Sequence, residues 1–287
     1  MTTETLWATL GDGVVVGTES LTVSPDANRF VALKSRIQGR KEVGVVIVDG
    51  KETGVHDDVL ECKEGTSFLS SPNSKRIAYV ATSGEKQLVV VDGVEGMKYD
   101  GIGYNSLVFS ADGNRVAYLA KRRSKWVVVV DGVVKDNEYD EMSLPVFSPD
   151  GERVAHNAKR GSKLFVVVDG LEGDEYDATG IPVFSPDGKR VAYQAEREGK
   201  IFVVVDGAEG DEFDEADTPV FSPDSKRVAY LAMQGNKSRA VVDGAEGDEY
   251  DGLVLGGLVF SSDGKRVTYA VKRGSKLYRA AIEIIDP

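Results

Sequence analysis

The chain has 287 residues, 41% of them hydrophobic, and carries 35 Lys and Arg against 47 Asp and Glu, for a formal net charge of −12. This excess of carboxylates argues against nucleic-acid binding, whose affinity depends on neutralising phosphates, and no apolar run approaches the roughly 20 residues that span a bilayer. The single cysteine, Cys62, excludes an intrachain disulfide and a cysteine-rich zinc site.

The first residues of the chain lack the basic and apolar segments of a secretion signal. We therefore expect a cytoplasmic protein, or a periplasmic or secreted one if a signal peptide has been removed. We also expect a monomer that has neither a membrane nor a nucleic acid as its partner.

One segment recurs along the chain, and each copy contains a Ser-Pro-Asp turn or a degenerate form of it. A fixed period of about 40 residues, built from short apolar runs and turn residues, indicates a repeat architecture. The first copy is longer than the others. The serines that mark the copies are Ser24, Ser71, Ser110, Ser148, Ser185, Ser222 and Ser261.

The copy that begins at residue 183 shows the unit most clearly. A short apolar run and a Pro-Asp-Gly turn are followed by residues 190–195, which alternate between large and small as a strand does. Residues 201–205 are continuously apolar, and residues 211–214 form a short, half-polar strand that we expect at a sheet edge. Four-stranded units repeated around an axis make a β-propeller.

The sequence therefore predicts an all-β, seven-bladed β-propeller in a single domain, residues 1–287. The last copy contains only three strands, so we expect the N-terminal stretch, residues 5–20, to supply its fourth strand and close the ring. In chain order the blades are expected at about residues 21–58, 67–100, 107–140, 145–177, 182–214, 219–251 and 258–287.

The sequence Phe-Ser-Pro-Asp-Gly-Lys-Arg-Val-Ala-Tyr at residues 184–193, nearly repeated at 221–230, resembles the WD40-like PD40 repeat of TolB-type β-propellers. The resemblance covers nearly the whole chain and implies the propeller fold. That family includes periplasmic scaffolds that bind peptides and lipoproteins, and propellers that gate peptidase domains. The acidic stretch at residues 169–177 departs from the TolB pattern.

In each unit, the loop between the second and third strands and the exit from the fourth strand are expected on one face, here called the variable face. Its exits are expected at residues 101–106, 141–144, 215–218 and 253–257. These segments differ between copies, and variable loops on a rigid scaffold are where binding usually occurs. The variable face is therefore the predicted binding surface for a protein or peptide partner.

Blade 1 carries two length differences, about four extra residues within 35–44 and about six within 56–66. We expect both insertions side by side on the variable face, where they mark the interaction site, although drift of a terminal repeat would give the same pattern. The predicted interaction residues are Ile37, Arg40, Lys41, His56, Asp57, Asp58, Leu60, Cys62, Tyr104, Glu141 and Asp217.

The variable face also has a charge pattern. Its outer loops are basic, as at residues 121–123 and 159–160, and its central connections are acidic. An anionic partner could meet the outer loops and a cationic group the centre. Ordinary solvated hairpin tips have the same composition, so the pattern leaves both interpretations open.

The repeated Asp-Gly-x-Glu-Gly-Asp-Glu stretch contains the oxygen ligands that Ca²⁺ prefers. Its acids span a turn and a strand, however, and strand alternation sends successive side chains to opposite faces. We therefore predict a structural role, with the Lys-Arg pair of each Ser-Pro-Asp turn as the charge partner, and we predict no metal and no cofactor.

Catalytic motifs are scarce. Neither Gly-x-Ser-x-Gly nor His-Glu-x-x-His occurs. His156 stands where other copies have Tyr193 or Tyr230 and is predicted to be a core residue, while a His56–Cys62 pair could act as base and nucleophile. We assign no catalytic residue and predict a non-enzymatic binding scaffold. The alternative is a propeller hydrolase or lyase that acts on carbohydrate or lactone substrates through axial carboxylates.

Overall fold

The computed structural model describes residues 21–63, 66–135, 137–253 and 257–284. Every regular element within them is a β-strand, and all strand pairs are antiparallel. The fold class is the one expected, an all-β propeller built of four-stranded blades. The chain divides into two compact units, Met1–Tyr139 and Asp140–Pro287, which are described separately below.

The described residues of the first unit form three sheets, which we number blades 1 to 3. Blade 1 consists of β1 (Leu21–Val23), β2 (Phe30–Gln38), β3 (Lys41–Val48) and β4 (Lys51–His56). Blade 2 consists of β5 (Asp58–Leu60), β6 (Phe68–Ser70), β7 (Ile77–Ser83), β8 (Lys86–Val91) and β9 (Val94–Glu95). Blade 3 consists of β10 (Gly101–Ile102), β11 (Val108–Phe109), β12 (Val116–Arg122), β13 (Lys125–Val130) and β14 (Val133–Val134).

The described residues of the second unit form four sheets, blades 4 to 7. Blade 4 consists of β15 (Glu141–Met142), β16 (Val146–Phe147), β17 (Val154–Arg160), β18 (Lys163–Val168) and β19 (Leu171–Glu172). Blade 5 consists of β20 (Ala178–Thr179), β21 (Val183–Phe184), β22 (Val191–Arg197), β23 (Lys200–Val205) and β24 (Ala208–Glu209). Blade 6 consists of β25 (Glu215–Ala216), β26 (Val220–Phe221), β27 (Val228–Gln234), β28 (Lys237–Val242) and β29 (Ala245–Glu246). Blade 7 consists of β30 (Gly252–Leu253), β31 (Val259–Phe260), β32 (Arg266–Arg273) and β33 (Lys276–Glu283).

Two tight turns shape each blade, as blade 5 shows. Glu198 and Gly199 join β22 to β23 with φ of 53° and 75°, and Asp206 and Gly207 join β23 to β24 with φ of 53° and 85°. Two successive positive φ values are the signature of the hairpin turn that matches strand twist, which is why Gly and Asp recur there. The predicted polar loop at 196–200 is therefore a two-residue turn between longer strands.

The first strand of blades 2 to 7 is split, which the sequence did not predict. In blade 5 both halves pair with β22, Ala178 opposite Glu196 and Val183 opposite Ala192. The segments expected to be connecting loops, 101–106, 141–144 and 215–218, therefore begin with strands of the next sheet, β10, β15 and β25. Most of the segment 253–257 lies outside the described residues. Two-residue strands carry too little periodicity to be recognised from sequence.

The fourth strand also differs from its prediction. In blade 5 it is Ala208–Glu209, and Phe213 then makes an isolated bridge to Ile201. Gly210 keeps the register, since its N–H donates to the carbonyl of Val203, and the register shifts by one residue between Gly210 and Phe213. Residues 211–214 are therefore not one continuous strand, although the aromatic of that segment does face inward and is buried, as expected.

Aromatic pairs fill the space between successive blades within each unit. The ring of Tyr176, which follows β19 in blade 4, contacts Tyr193 of blade 5 edge to face with 6.3 Å between ring centres. In the first unit the rings of Tyr99 and Tyr118 make the same contact at 6.4 Å. Such pairs stabilise by about 0.5–1.5 kcal/mol beyond their area burial. Together with the valines of the central strands they form the core of each unit.

The last sheet has a split first strand and two long strands, the three strands predicted for the final copy. The expectation that residues 5–20 complete it concerns a stretch outside the described residues. No helix in the described part of the chain is long and apolar enough to cross a membrane.

Candidate functional site

Several polar residues that recur in the copies of the repeat bond within a blade or to a neighbouring blade. In blade 5 the Ser185 hydroxyl donates to Asp187 Oδ1 at 2.6 Å and accepts from the N–H of Arg190 at 3.0 Å. The hydrogen bond from Ser185 lowers the pKa of the Asp187 carboxyl. The Ser-Pro-Asp turn is thus closed by its own side chains, and Ser185 is fully buried.

Within each unit, arginines that follow the Ser-Pro-Asp turn or its variants link one blade to the next, at Arg29, Arg76, Arg153 and Arg190. Arg190 Nε donates to Asp206 Oδ2 at 2.8 Å, and its Nη1 donates to the carbonyl of Lys226 in blade 6 at 2.7 Å. Its guanidinium also lies 5.4 Å from the centre of the Phe221 ring. The Arg of the Lys-Arg pair is therefore a charge partner of the acidic stretch, as predicted, through the Asp of its Asp-Gly turn.

On the hairpin side, an aspartate clamp bonds to both members of a pair of neighbouring blades within a unit. Asp177 Oδ1 accepts from Lys163 Nζ of blade 4 at 2.5 Å, and its Oδ2 accepts from the N–H of Glu198 in blade 5 at 2.9 Å. The bond from Lys163 is the main reason that the pKa of Asp177 lies below its ordinary value. Equivalent clamps occur at Asp57, Asp100, Asp214 and Asp251.

A third contact uses the glutamate of the acidic stretch. Glu209 Oε1 accepts from Arg197 Nη2 at 2.7 Å and from the Tyr176 hydroxyl at 3.1 Å. The Arg197 guanidinium also lies 5.2 Å from the centre of the Tyr176 ring. Among the described residues no three His, Cys, Asp or Glu side chains converge in a metal-binding arrangement. In blade 5, Asp206, Glu209 and Asp214 of the acidic stretch have cationic partners within the blades.

Blade 2 departs from this scheme at two adjacent positions. Blades 4, 5 and 6 have an Asp-Glu pair before the inward aromatic, as at Asp174 and Glu175. Blade 2 has Met97 and Lys98 at these positions, before Tyr99. The change replaces an acid with an exposed apolar side chain and another acid with a cation, so this edge of the first unit differs in both polarity and charge.

Two cavities lie along this edge, between β9 of blade 2 and blade 3, and we call them together the blade 2–3 groove. Its apolar end is a cavity of about 780 Å³ with an aliphatic and aromatic floor. Val94 and Met97 stand at its edge with 71% and 56% of their surfaces exposed. The residues that line this end include Val89, Val91, Val94, Met97, Val116 and Tyr118.

Gly96 keeps this apolar end open. A Cβ at this position would lie 2.9 Å from the carbonyl oxygen of Val89 and 3.6 Å from the Tyr118 hydroxyl, so only glycine fits. β9 is an edge strand of its sheet, because it pairs with β8 alone among the described strands. An extended chain could therefore lie along it, as in strand addition.

The other end of the groove is basic and lies at the hairpin side of the two blades. It is a cavity of about 420 Å³ whose lining holds five cations and two carboxylates. Lys98 Nζ donates to the Ser83 hydroxyl at 2.7 Å, and Lys86 pairs with the clamp residue Asp100. The cations of this basic end are Lys86, Lys98, Lys121, Arg122 and Arg123.

One contact of the repeat is missing at the basic end. Blade 3 has Val134 at the position of Glu209 in blade 5 and Glu172 in blade 4. Arg122 still stacks on Tyr99, with 5.6 Å from its Cζ to the ring centre, but makes no ion pair with a described residue. The buried Tyr99 hydroxyl likewise has no hydrogen-bond partner among them.

The interaction residues predicted from sequence fall in several places. In the first unit Lys41 Nζ pairs with Asp57 Oδ1 at 2.7 Å, and the Tyr104 hydroxyl donates to Glu61 at 3.1 Å. Ile37 is 69% exposed, and Arg40 lies in the adjacent turn. Asp58 and Leu60 belong to β5, with Asp58 exposed and Leu60 half-buried. Their role as contact residues stays a prediction.

The two insertions of blade 1 lie side by side at one end only. The first lengthens β2 and β3 and adds no loop, and Ile37 pairs with Glu42 at the hairpin tip. The second begins beside that tip, where Asp57 pairs with Lys41, and ends at the opposite end of blade 1, where Thr66 bonds to Thr22, which pairs with Val31. Six strand residues separate Val31 from Ile37, about 20 Å. A gain of two residues in each strand cannot be distinguished from a longer loop by counting.

His56 and Cys62 are buried, with 6% and 2% of their surfaces exposed, and so do not contribute to a contact surface. His56 ends β4 at the position of the inward aromatic, and its Nε2 lies 3.0 Å from the Tyr79 hydroxyl. Burial lowers the pKa of His56 and raises that of the Cys62 thiol to about 11. A protonated thiol is a weak nucleophile, which argues against a Cys–His pair.

In the second unit the predicted residues lie at exits. Glu141 accepts from Lys159 Nζ at 2.8 Å. Glu215 and Asp217 line a cavity of about 400 Å³ together with Leu231 and Met233. His156 is buried opposite Val167, the counterpart of Tyr193 opposite Val204, which confirms its assignment to the core.

No protein-family profile and no curated protein matches the chain. Solved structures do resemble it. TolB from Acinetobacter baumannii is 15% identical with a TM-score of 0.36, over 88% of this chain and 76% of that one. The β-propeller domain of the Trilobed protease from Pyrococcus furiosus is 13% identical with a TM-score of 0.40, over 95% and 97%. A eukaryotic initiation factor is 12% identical with a TM-score of 0.47, over 91% and 72%.

Proposed function

We propose that this protein is a non-enzymatic binding scaffold that recognises a protein or peptide partner, and that the partner lies in the blade 2–3 groove and reaches the variable face at its basic end. The observation that carries the proposal is the pair Met97 and Lys98, which interrupts the acidic pattern of the repeat. Blades 4, 5 and 6 expose two acids at these positions, whereas here the chain exposes an apolar and a cationic side chain together.

The groove suits an extended segment with an apolar side chain. Its apolar end falls within the roughly 300–1,000 Å³ of ordinary ligand pockets, and β9 offers an open strand edge beside it. Burying one aliphatic side chain there would contribute about 1.5–3 kcal/mol of binding free energy. The rigid blades fix the groove in advance, which reduces the entropic cost of binding.

The proposal is tested by affinity capture from the native lysate with Met97→Asp, which installs the residue that other blades have at this position. We expect the captured partner to bind at least about ten-fold more weakly, because an apolar contact is replaced by a charge. Leu171→Asp is the matched control, since Leu171 is 77% exposed at the position of Val94 in blade 4. Equal capture by wild type and Met97→Asp would contradict the proposal.

A second pair of variants separates this groove from the blade 1 insertions. One shortens the hairpin within residues 35–44, and the other shortens the segment 56–66. If partners are lost with these variants and kept with Met97→Asp, the contact surface is the one predicted from the insertions.

The alternative activity, a hydrolase or lyase with axial carboxylates, concerns Glu215 and Asp217 in their cavity of about 400 Å³. Assaying hydrolysis of a panel of aryl glycosides and lactones tests it directly. Turnover that disappears in the double variant Glu215→Gln/Asp217→Asn would favour the enzyme.

A further inference from the structure

The basic end of the blade 2–3 groove concentrates positive charge in an otherwise acidic protein. Among the described residues its lining holds five cations and two carboxylates, Asp100 and Glu138, an excess of about three positive charges, while the chain as a whole carries −12. Asp100 is already held by Lys86 and by the N–H of Arg123. Lys98, Lys121 and Arg122 make no ion pair with a described residue.

The repeat shows what this end lacks. In blade 5 the Glu209 carboxylate accepts from Arg197 and from the Tyr176 hydroxyl. Their counterparts at the basic end are Arg122 and Tyr99, and both are present in the same stacked arrangement, at 5.6 Å against 5.2 Å. The counterpart of Glu209 is Val134, an apolar residue that packs against the core cluster containing Tyr99, so both donors lack the acceptor that their counterparts have in blade 5.

The missing acceptor leaves the buried Tyr99 hydroxyl without a partner in the described part of the chain, which destabilises the fold. Tyr99 is 2% exposed, and its hydroxyl has no partner among the described residues. A buried hydroxyl without an acceptor costs about 1–3 kcal/mol. An anion that takes the place of the missing carboxylate would accept from this hydroxyl and from Arg122, and would remove that penalty.

We infer that the basic end of the blade 2–3 groove is a binding site for a phosphomonoester, with Arg122 and the Tyr99 hydroxyl as its inner donors and Lys98, Lys121 and Arg123 around it. A phosphate carries close to two negative charges and three acceptor oxygens, whereas a carboxylate carries one charge. The net excess of about three positive charges, with two arginines among the five cations, matches the larger charge of a phosphate. The inference rests on the proposed function, in which the phosphate belongs to a residue of the bound peptide.

Arg123 offers a variant that tests the same assignment. It occupies the first turn position of its hairpin with φ of 56°, where blades 4 and 6 have Gly161 and Gly235. An arginine there costs conformational free energy that glycine avoids. Arg123→Gly therefore removes a cation of the site and leaves the backbone in a conformation that glycine adopts readily.

The test is a binding titration of the full-length protein with a short phosphoserine peptide, its serine and glutamate versions, and inorganic phosphate as competitor. We expect saturable binding of the phosphoserine peptide, displacement by inorganic phosphate, and loss of affinity as ionic strength rises. Arg122→Ala, Lys98→Glu and Arg123→Gly should each weaken binding about ten-fold or more, the value of one charge-assisted contact.

The matched control is Arg160→Ala in blade 4, because Arg160 already pairs with Glu172 at 2.6 Å. It should leave the affinity unchanged. The inference is overturned if the phosphoserine peptide does not bind saturably, if the glutamate peptide binds equally well, or if Arg160→Ala weakens binding as much as Arg122→Ala. Competition by a short single-stranded DNA at lower concentration than the peptide would assign the site to nucleic acid and also overturn it.

This outcome is separate from that of the proposed function. Loss of partner capture by Met97→Asp, with no phosphate binding at the basic end, keeps the scaffold and removes the phosphate site. Phosphate binding with unchanged partner capture keeps the site and removes the groove from partner recognition.

Discussion

The blade 2–3 groove and the corresponding boundary between blades 4 and 5 have the same frame and opposite chemistry. Each has an inward aromatic stacked on a tyrosine of the next blade and an aspartate clamp at the hairpin side. Between blades 4 and 5, Glu209 satisfies both Arg197 and Tyr176. Between blades 2 and 3, Val134 satisfies neither Arg122 nor Tyr99. The difference shows that one departure from the repeat leaves two donors without the acceptor that their counterparts have.

Truncating the buried tyrosines at the two blade boundaries should have the largest effect on the free energy of unfolding. Tyr118 and Tyr193 are equivalent, with 2% and 5% of their surfaces exposed. We expect Tyr118→Ala and Tyr193→Ala each to lower the free energy of unfolding by about 3–5 kcal/mol, as for other buried aromatics. Urea denaturation measures both. A much smaller loss for Tyr118→Ala would show that the floor of the blade 2–3 groove is not packed like its counterpart.

Restoring the missing acid should make the two boundaries alike. Val134→Glu is expected to pair with Arg122 as Glu209 pairs with Arg197, and to weaken phosphoserine-peptide binding about ten-fold or more because it occupies the place of the ligand and adds a like charge. The titration described above measures it, and an unchanged stability confirms that the variant is folded. Unaltered affinity would show that the ligand does not use this position.

The two tyrosine hydroxyls should respond in opposite directions. Tyr99→Phe removes an unpartnered buried hydroxyl, so we expect the protein to become about 1 kcal/mol more stable. Tyr176→Phe removes a hydrogen bond to Glu209 at 3.1 Å, so we expect a loss of about 1 kcal/mol. Thermal or urea unfolding of both variants in phosphate-free buffer checks the sign. Equal changes would mean that Tyr99 has a partner in solution.

The aspartate clamps are the feature that the two boundaries share, and their effect should be small and equal. The pKa of Asp100 and of Asp177 is lowered mainly by Lys86 and Lys163. A carboxyl group whose pKa is lower in the folded than in the unfolded protein stabilises the fold at pH values above its unfolded pKa, near 4. This contribution is lost as the pH falls below that value and through the folded pKa. Asp100→Asn and Asp177→Asn should therefore both reduce the loss of stability on acidification from pH 5 to pH 3.

The urea midpoint measured across that pH range tests this comparison. A flattened pH profile for one variant and not the other would show that the clamps differ, and that the two boundaries are not built on the same frame.

Much of the fold could be predicted from the sequence because the same turns and apolar runs recur in several copies of the repeat. The Ser-Pro-Asp turns, the apolar runs at 201–205 and the Asp-Gly turns predicted the long central strands correctly, since hairpin turns and alternation are local properties. The split first strand was missed because Ala178–Thr179 pairs through its backbone and has no pattern of its own. The four extra residues of blade 1 were taken for a loop because their partners across the hairpin are equally long.

The candidate site was less accessible. The sequence alone shows that Met97, Lys98 and Val134 differ from the residues of other copies. Their effect on the site can be recognised only when the residues that face them from the neighbouring blade are known. His56 and Cys62 were assigned to a surface loop because strand β4 ends later than the repeat suggests, and both are buried. The basic hairpin at 121–123 was recognised, but not the uncompensated donors around it.

The sequence by itself determined the all-β repeat, its turns and the lengths of its central strands, because these depend on the propensities of neighbouring residues. Only the tertiary structure decided which charges are neutralised, because Arg122, Tyr99 and Val134 come from separate strands of two blades. Whether a cation is a structural partner or a free donor depends on what the folded chain places opposite it, and that is a property of contacts between distant residues.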